Sequence, residues 1–165
     1  MDFREFHEKM KKLNKSVPDA LERIVYQLGE ALLNTITDEI IKQNLIDTGA
    51  AGLLGSFSQG DPNNVWEFDS DRNTITLEVG SNLSYAPLVN DGYEIKKAHF
   101  VPGYVSRTEE GPRFRYDPDA KSGVMMKPRV FIGRQYFDIA LQDFQGGMKR
   151  MIEELLDKEL ERKVK

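Results

Sequence analysis

Apolar positions in the first 43 residues recur with the period of a helix. Phe3, Phe6, Met10 and Leu13 step by three, four and three, which places them on one stripe while Arg4, Glu5, Glu8, Lys9, Lys11 and Lys12 take water. Ser16-Val17-Pro18 reads as a break and restart, because a helical first turn leaves unpaired the N–H that proline lacks. From Asp19 to about Gln43, Leu21, Ile24, Val25, Leu28, Leu32, Ile36 and Ile40 predict a second helix with one apolar face. At ~1.5 Å per residue it is roughly 35–40 Å long and needs a broad partner.

The pattern changes at Asp47. Thr48-Gly49-Ala50-Ala51-Gly52 is small and flexible, Gly55 to Gly60 is polar and glycine-rich, and Pro62-Asn63-Asn64 is a turn signal. Val65-Trp66-Glu67-Phe68 and Thr74-Ile75-Thr76-Leu77-Glu78-Val79 are short runs rich in β-branched and aromatic residues, the second alternating cleanly. With Asp69 to Asn73 as the loop, residues 63–80 are expected to form a hairpin. Tyr85-Ala86-Pro87-Leu88-Val89 is a compact apolar patch closed by Asn90-Asp91-Gly92. Over residues 94–127 the periodicity is lost among prolines 102, 112 and 118 and glycines 103, 111 and 123. This is expected to be an extended loop, or an irregular hairpin pairing Phe100, Val101, Tyr104, Val105, Phe114 and Tyr116.

Pro128-Arg129-Val130-Phe131-Ile132 reads as a strand or an extended lead into a last helix. In that helix Phe137, Leu141, Phe144, Met148, Met151, Leu155 and then Leu156 or Leu160 alternate steps of four and three. Gly146-Gly147 interrupts it at a cost of about 1 kcal/mol per glycine, so packing must outweigh them or the helix bends. Its charged end, Asp157 to Lys165, is expected to fray, and Glu153, Glu154, Asp157, Glu159 and Glu161 to form a solvated face.

Composition narrows the function classes. The chain has 165 residues, 27 acids against 23 bases, a net charge of −4 and no cysteine. That length suits a single domain over residues 1–165, hiding ~70% of the extended chain's surface on folding. The missing cysteines exclude a disulfide framework, a zinc-thiolate site and a cysteine nucleophile. No apolar run is long enough for a bilayer span, and no basic leader precedes an apolar stretch, so a soluble cytoplasmic protein is expected.

Candidate chemistry is sparse. His7 and His99 lie far apart among polar neighbours, and neither a nucleophile elbow nor a phosphate-cradling glycine loop opens a helix. Asp69-x-Asp71-x-Asn73 copies the first half of a calcium loop, but Thr74 and Gly80 stand where glycine and a bidentate glutamate are needed. Those three are read as turn formers. Lys96, Lys97, Arg107, Arg113, Arg115, Lys121 and Lys127 interleave with aromatics, as on a single-strand binding surface. Glu94, Glu109, Glu110, Asp117 and Asp119 reduce their sum to +2, too little for strong counterion-driven binding. A mixed-charge segment that meets another protein fits better. No catalytic group, cofactor site or metal site is expected, and a hydrolase built across subunits has no positive support.

The order of motifs adds a resemblance. Lys- and Leu-rich helices precede Ile46-Asp47-Thr48-Gly49, then Leu53-Leu54-Gly55-Ser56-Phe57 and a hairpin ending Leu77-Glu78-Val79-Gly80-Ser81. Tyr85-Ala86, Val89-Asn90-Asp91-Gly92-Tyr93, a long loop, Lys127-Pro128-Arg129-Val130-Phe131-Ile132 and a last helix follow. This resembles the neck or tail-completion proteins of tailed bacteriophages, which join the DNA-filled head to the tail. The spacing from Gly49 to Ser56 is longer than the family's usual one.

The resemblance implies an α+β fold, with a small antiparallel sheet against the long N-terminal helix and a C-terminal helix. It implies a virion protein, assembled in the host cytoplasm, that forms a ring expected to be hexameric. Its partners would be itself, a head-connector, adaptor or stopper protein, and a tail terminator or tail tube, with DNA only as passing cargo and no membrane. The alternatives are a tail-tube terminator ring and, from another class, a nucleic-acid-binding module using residues 94–127. Tyr93, Phe100, Tyr104, Phe114 and Tyr116 are the expected interface anchors, since large rings dominate interface energies. Asp47, Thr48 and Gly49 are expected to be architectural, capping and turning the chain after the helix.

Overall fold

A computed structural model describes residues 3–45, 52–71, 74–108 and 111–164. These residues gather into two units: a helical unit of residues up to Asn90 and from Arg134 onward, and a sheet unit, Asp91–Gly133. The fold is α+β, as the resemblance implies.

The helical unit opens with α1, one continuous helix of 40 residues, Phe3–Lys42, where the sequence predicts two. Pro18 lies inside it. Proline's fixed φ is itself helical, so Pro18 forfeits a backbone hydrogen bond and crowds the preceding turn without forcing the chain out. A 3-10 turn, Gly55–Phe57, leads to the hairpin of β1 (Asn64–Ser70) and β2 (Ile75–Ser81). Trp66 pairs across with Val79 and Phe68 with Leu77. This side meets α1 at Gly29, where an added Cβ would run into Leu77 and come 2.9 Å from the Trp66 ring. The Trp66 ring also sits edge-on to Tyr26, 4.9 Å between centroids.

Helix α2, Ala86–Asp91, leads out of the unit, and α3, Tyr136–Val164, completes it. The late turns of α1 meet the early turns of α3, and Arg23 midway along α1 reaches Glu159 near the end of α3, so the two run antiparallel. The core holds Leu33, Ile36 and Ile40 of α1, Leu53 and Phe57 around the 3-10 turn, Ala86 of α2, and Tyr136 and Ala140 of α3. Leu33 belongs to this core, whereas Leu21, on the predicted stripe, is exposed. The line Gly29, Leu33, Ile36, Ile40 is the face that sets the spacing. Two expectations for α3 are corrected. Its charged end is helical to Val164, and Glu159 is buried instead of solvated, held by both Nε and a terminal nitrogen of Arg23. Gly146 and Gly147 lie within the helix and nothing approaches within 4 Å of where their Cβ atoms would be.

In the sheet unit the segment expected as an extended loop or irregular hairpin is ordered into strands. β3 (Gly92–Ile95) pairs antiparallel with β7 (Arg129–Ile132). β4 (His99–Thr108) is the centre of a three-stranded antiparallel sheet, flanked by β5 (Gly111–Tyr116) and β6 (Gly123–Met126). The sequence hides these strands because Phe100-Val101 and Tyr104-Val105 put apolar groups on both faces, which erases the period of two.

Candidate docking surface

Residues opposite one another in an antiparallel pair share a face. Phe100 stands opposite Met125, Tyr104 opposite Arg115 and Ser106 opposite Arg113, so these six form one face of the β4 sheet. Val101 with Val124, Val105 with Phe114 and Tyr116 opposite Gly103 form the other. Neither face is covered: Met125 is 60% exposed on the first, Val105 60% and Tyr116 67% on the second. Among the described residues every buried apolar side chain belongs to the helical unit. A three-stranded sheet ordinarily packs one face, and among the described residues both faces of this one are open.

Within the sheet, rings are laid over glycines. Gly103 has φ +154°, and a Cβ there would lie 2.6 Å from the Phe114 ring and collide with the Arg115 carbonyl. A Cβ at Gly123 would lie 2.5 Å from the Phe100 ring. Each aromatic fills the space its cross-strand glycine leaves. On the β3–β7 ribbon Tyr93 stacks on Phe131, 4.4 Å between centroids and 11° between planes, with the Arg129 guanidinium 4.6 Å over the Phe131 ring. The opposite side of that ribbon carries Val130 and Ile132, the latter 89% exposed.

The five anchors read from the sequence therefore all lie on the sheet unit, and all are exposed. Phe100 and Tyr104 share one face, Phe114 and Tyr116 the other, and Tyr93 belongs to the β3–β7 ribbon. Val105, Met125, Val130 and Ile132 were not among them. The alternation Arg113-Phe114-Arg115-Tyr116 is the signal that could have marked two faces. Asp47, Thr48 and Gly49 lie outside the described residues.

The remaining motifs serve the helical unit. Ser56, fully buried, donates to the Leu53 carbonyl at 2.7 Å and accepts from the Ser81 hydroxyl at 2.7 Å. Asn64 donates to the Ser56 and Gly80 carbonyls. Asn90 accepts from the Phe137 N–H at 2.9 Å, satisfying one of the donors that the start of α3 leaves open, and donates to Asp138 at 2.7 Å. At the end of α1, hydrogen bonds from Lys42 and then Gln43 hold the buried Glu39 carboxyl below its ordinary pKa, and Glu39 in turn raises Lys42. The hydrogen bond and charge of Glu159 raise Arg23.

An open cleft of about 430 Å³ is lined by Glu30, Leu33, Asn34, Thr37, Phe57, Ser58 and Gln59, with one ionisable group among them. His99 is exposed, its Nδ1 3.4 Å from the Lys97 carbonyl. Among the described residues no group of three His, Cys, Asp or Glu side chains is placed to hold a metal ion. No described helix is long and apolar enough to cross a membrane.

Neither a family model nor a solved structure matches the chain. Two proteins of Bacillus subtilis (strain 168) do. The phage-like element PBSX protein XkdI is 32% identical over 166 residues, spanning 94% of this chain and 93% of XkdI. The chain belongs to the XkdI family. YqbI is 36% identical over 142 residues, spanning 82% of this chain and 80% of YqbI. A match to XkdI that spans so much of the chain takes in residues of both units, so the sheet unit is not an appendage outside the family relationship.

Proposed function

We propose that this member of the XkdI family is a structural protein of a tailed phage or phage-like particle. It forms a ring in the neck and joins the head connector to the tail, acting by attachment and not by catalysis. The observation that carries this reading is the sheet unit, whose apolar side chains are exposed on both faces while the helical unit has a filled core. A protein that works alone in water gains nothing from such a surface; a subunit that closes a ring covers it. XkdI, named for the phage-like element PBSX, supports the phage context, and the order of motifs supports the place in the neck.

The test is deletion of the gene in a phage or prophage that carries it, followed by electron microscopy of the particles. Filled heads beside separate tails of normal length are expected. Joined, intact particles would overturn the proposal, and overlong tails would move the protein to the tail-terminator position.

A further inference from the structure

The rest of the same chain offers an occupant for the exposed face just described. Arg113 and Arg115 stand two residues apart on one face of β5, ~7 Å along the strand, beside the exposed Phe100, Tyr104 and Met125. The Arg115 Nε donates to the Ser106 hydroxyl at 3.1 Å, which fixes the guanidinium against this face. Residues 91–133 carry eight bases and six acids, while the remainder of the chain carries fifteen bases and twenty-one acids. The two units thus have opposite net charge.

On the helical unit the negative charge is concentrated on the hairpin. Five acids and one base lie between Asp61 and Ser81. Trp66, Phe68, Leu77 and Val79 occupy the face toward α1, so Glu67, Asp69 and Glu78 occupy the outer one. Glu67 is directly opposite Glu78 in the register, both are exposed, and among the described residues neither has a hydrogen bond or ion pair. Like charges directly opposite on a strand pair are destabilising, and no hydrogen bond or ion pair among the described residues offsets that cost. Two carboxylates ~5 Å apart match two guanidiniums on one strand face, whose several N–H donors can take a carboxylate beside the contacts each makes within its own chain.

We propose that copies of this chain join head to tail: the Phe100–Tyr104 face of one copy's sheet unit seats on the outer face of the next copy's β1–β2 hairpin, with Arg113 and Arg115 paired to Glu67 and Glu78. The contact uses two different patches, so it is heterologous and propagates to a ring when its rotation closes. The apolar side chains supply the buried area and the charges set orientation and exclude other pairings. This deepens the ring reading and rests on it.

Charge exchange tests it. Arg113→Glu with Arg115→Glu makes both patches acidic; Glu67→Lys with Glu78→Lys makes both basic. In sedimentation velocity each double variant alone is expected to lose self-association by at least ~10-fold relative to the native chain. A one-to-one mixture is expected to regain it, since each copy then meets its complement on both sides. Circular dichroism establishes that each variant is folded, and the neutral set Arg113→Gln, Arg115→Gln, Glu67→Gln and Glu78→Gln serves if a reversal does not fold.

A native chain that stays monomeric at ~100 μM overturns the proposal, as do variants that associate like the native chain or a mixture that stays apart. Salt-sensitive retardation of duplex DNA that disappears with Arg113→Glu and Arg115→Glu would assign these arginines to phosphate and overturn it too. Gene deletion answers the other question separately. Joined particles alongside a positive exchange would remove the neck role and leave the contact standing.

Discussion

The chain builds two hairpins from similar residues and treats them in opposite ways. In β1–β2 the apolar side is pressed on α1, with Trp66 and Leu77 closing around Gly29. In β4–β5 the apolar residues are divided between both sides and left in water. Strand chemistry alone does not decide which outcome follows; the presence of a helix face with matching shape does. A hairpin with such a helix becomes core, and one without it keeps its apolar residues exposed.

Substitutions sharpen that contrast. Ile36→Ala, at a fully buried position in the helical unit, is expected to cost about 2–5 kcal/mol and lower the thermal midpoint by roughly 10 °C. Val105→Ser in the sheet unit is expected to stay within about 0.5 kcal/mol of the native stability while weakening attachment. A calorimetric scan of each beside a particle-joining assay checks both, and equal losses of stability would erase the distinction between the units.

A smaller effect of opposite sign is expected on α3. Gly146→Ala and Gly147→Ala each place a methyl group in open space on a helical backbone and should raise stability by about 0.5–1 kcal/mol. Chemical denaturation reads this directly, and destabilisation would show that the glycines are needed for a conformation other than the straight helix.

The smallest expected effect depends on pH. Glu39 has a folded pKa below its unfolded value, so its contribution is present above the ordinary carboxylate range and fades as pH falls through the lowered value. Lys42 is raised, so its contribution is present below the ordinary lysine value of 10.5 and fades as pH climbs past it. The pair thus supports the end of α1 across the neutral range. Glu39→Gln should flatten the fall in thermal midpoint between about pH 5 and 3, and an unchanged acid limb would remove the pair from the account.

What could be read from the amino acids follows the same division. The α3 helix, the late part of α1 and the β1–β2 hairpin each have one wet and one dry side, and periodicity reports that asymmetry. Pro18 misled because a proline's cost is visible in a sequence while the tolerance of a long helix for it is not. Glu159 misled because its partner, Arg23, is 136 positions away. In the sheet unit the aromatics that lie exposed could be singled out from their size and setting. The strands that carry them could not, since a sheet with apolar groups on both faces has no alternation to read. The charge pattern around Arg113 and Arg115 was legible, but the acidic hairpin face it matches needs the register of Glu67 on Glu78 to be seen.

The excursion that forms the sheet unit leaves and returns at one place. The chain departs at Val89-Asn90 and comes back at Arg134-Gln135, where the Arg134 N–H donates to the Val89 carbonyl and the Gln135 N–H to the Asn90 carbonyl, both at 2.9 Å. Lengthening a loop whose ends are already clipped costs little, about 0.6 kcal/mol of closure entropy per doubling. Lineages descended from a common ancestor are therefore free to enlarge, trim or exchange the segment between these two hydrogen bonds at little cost to the helical core.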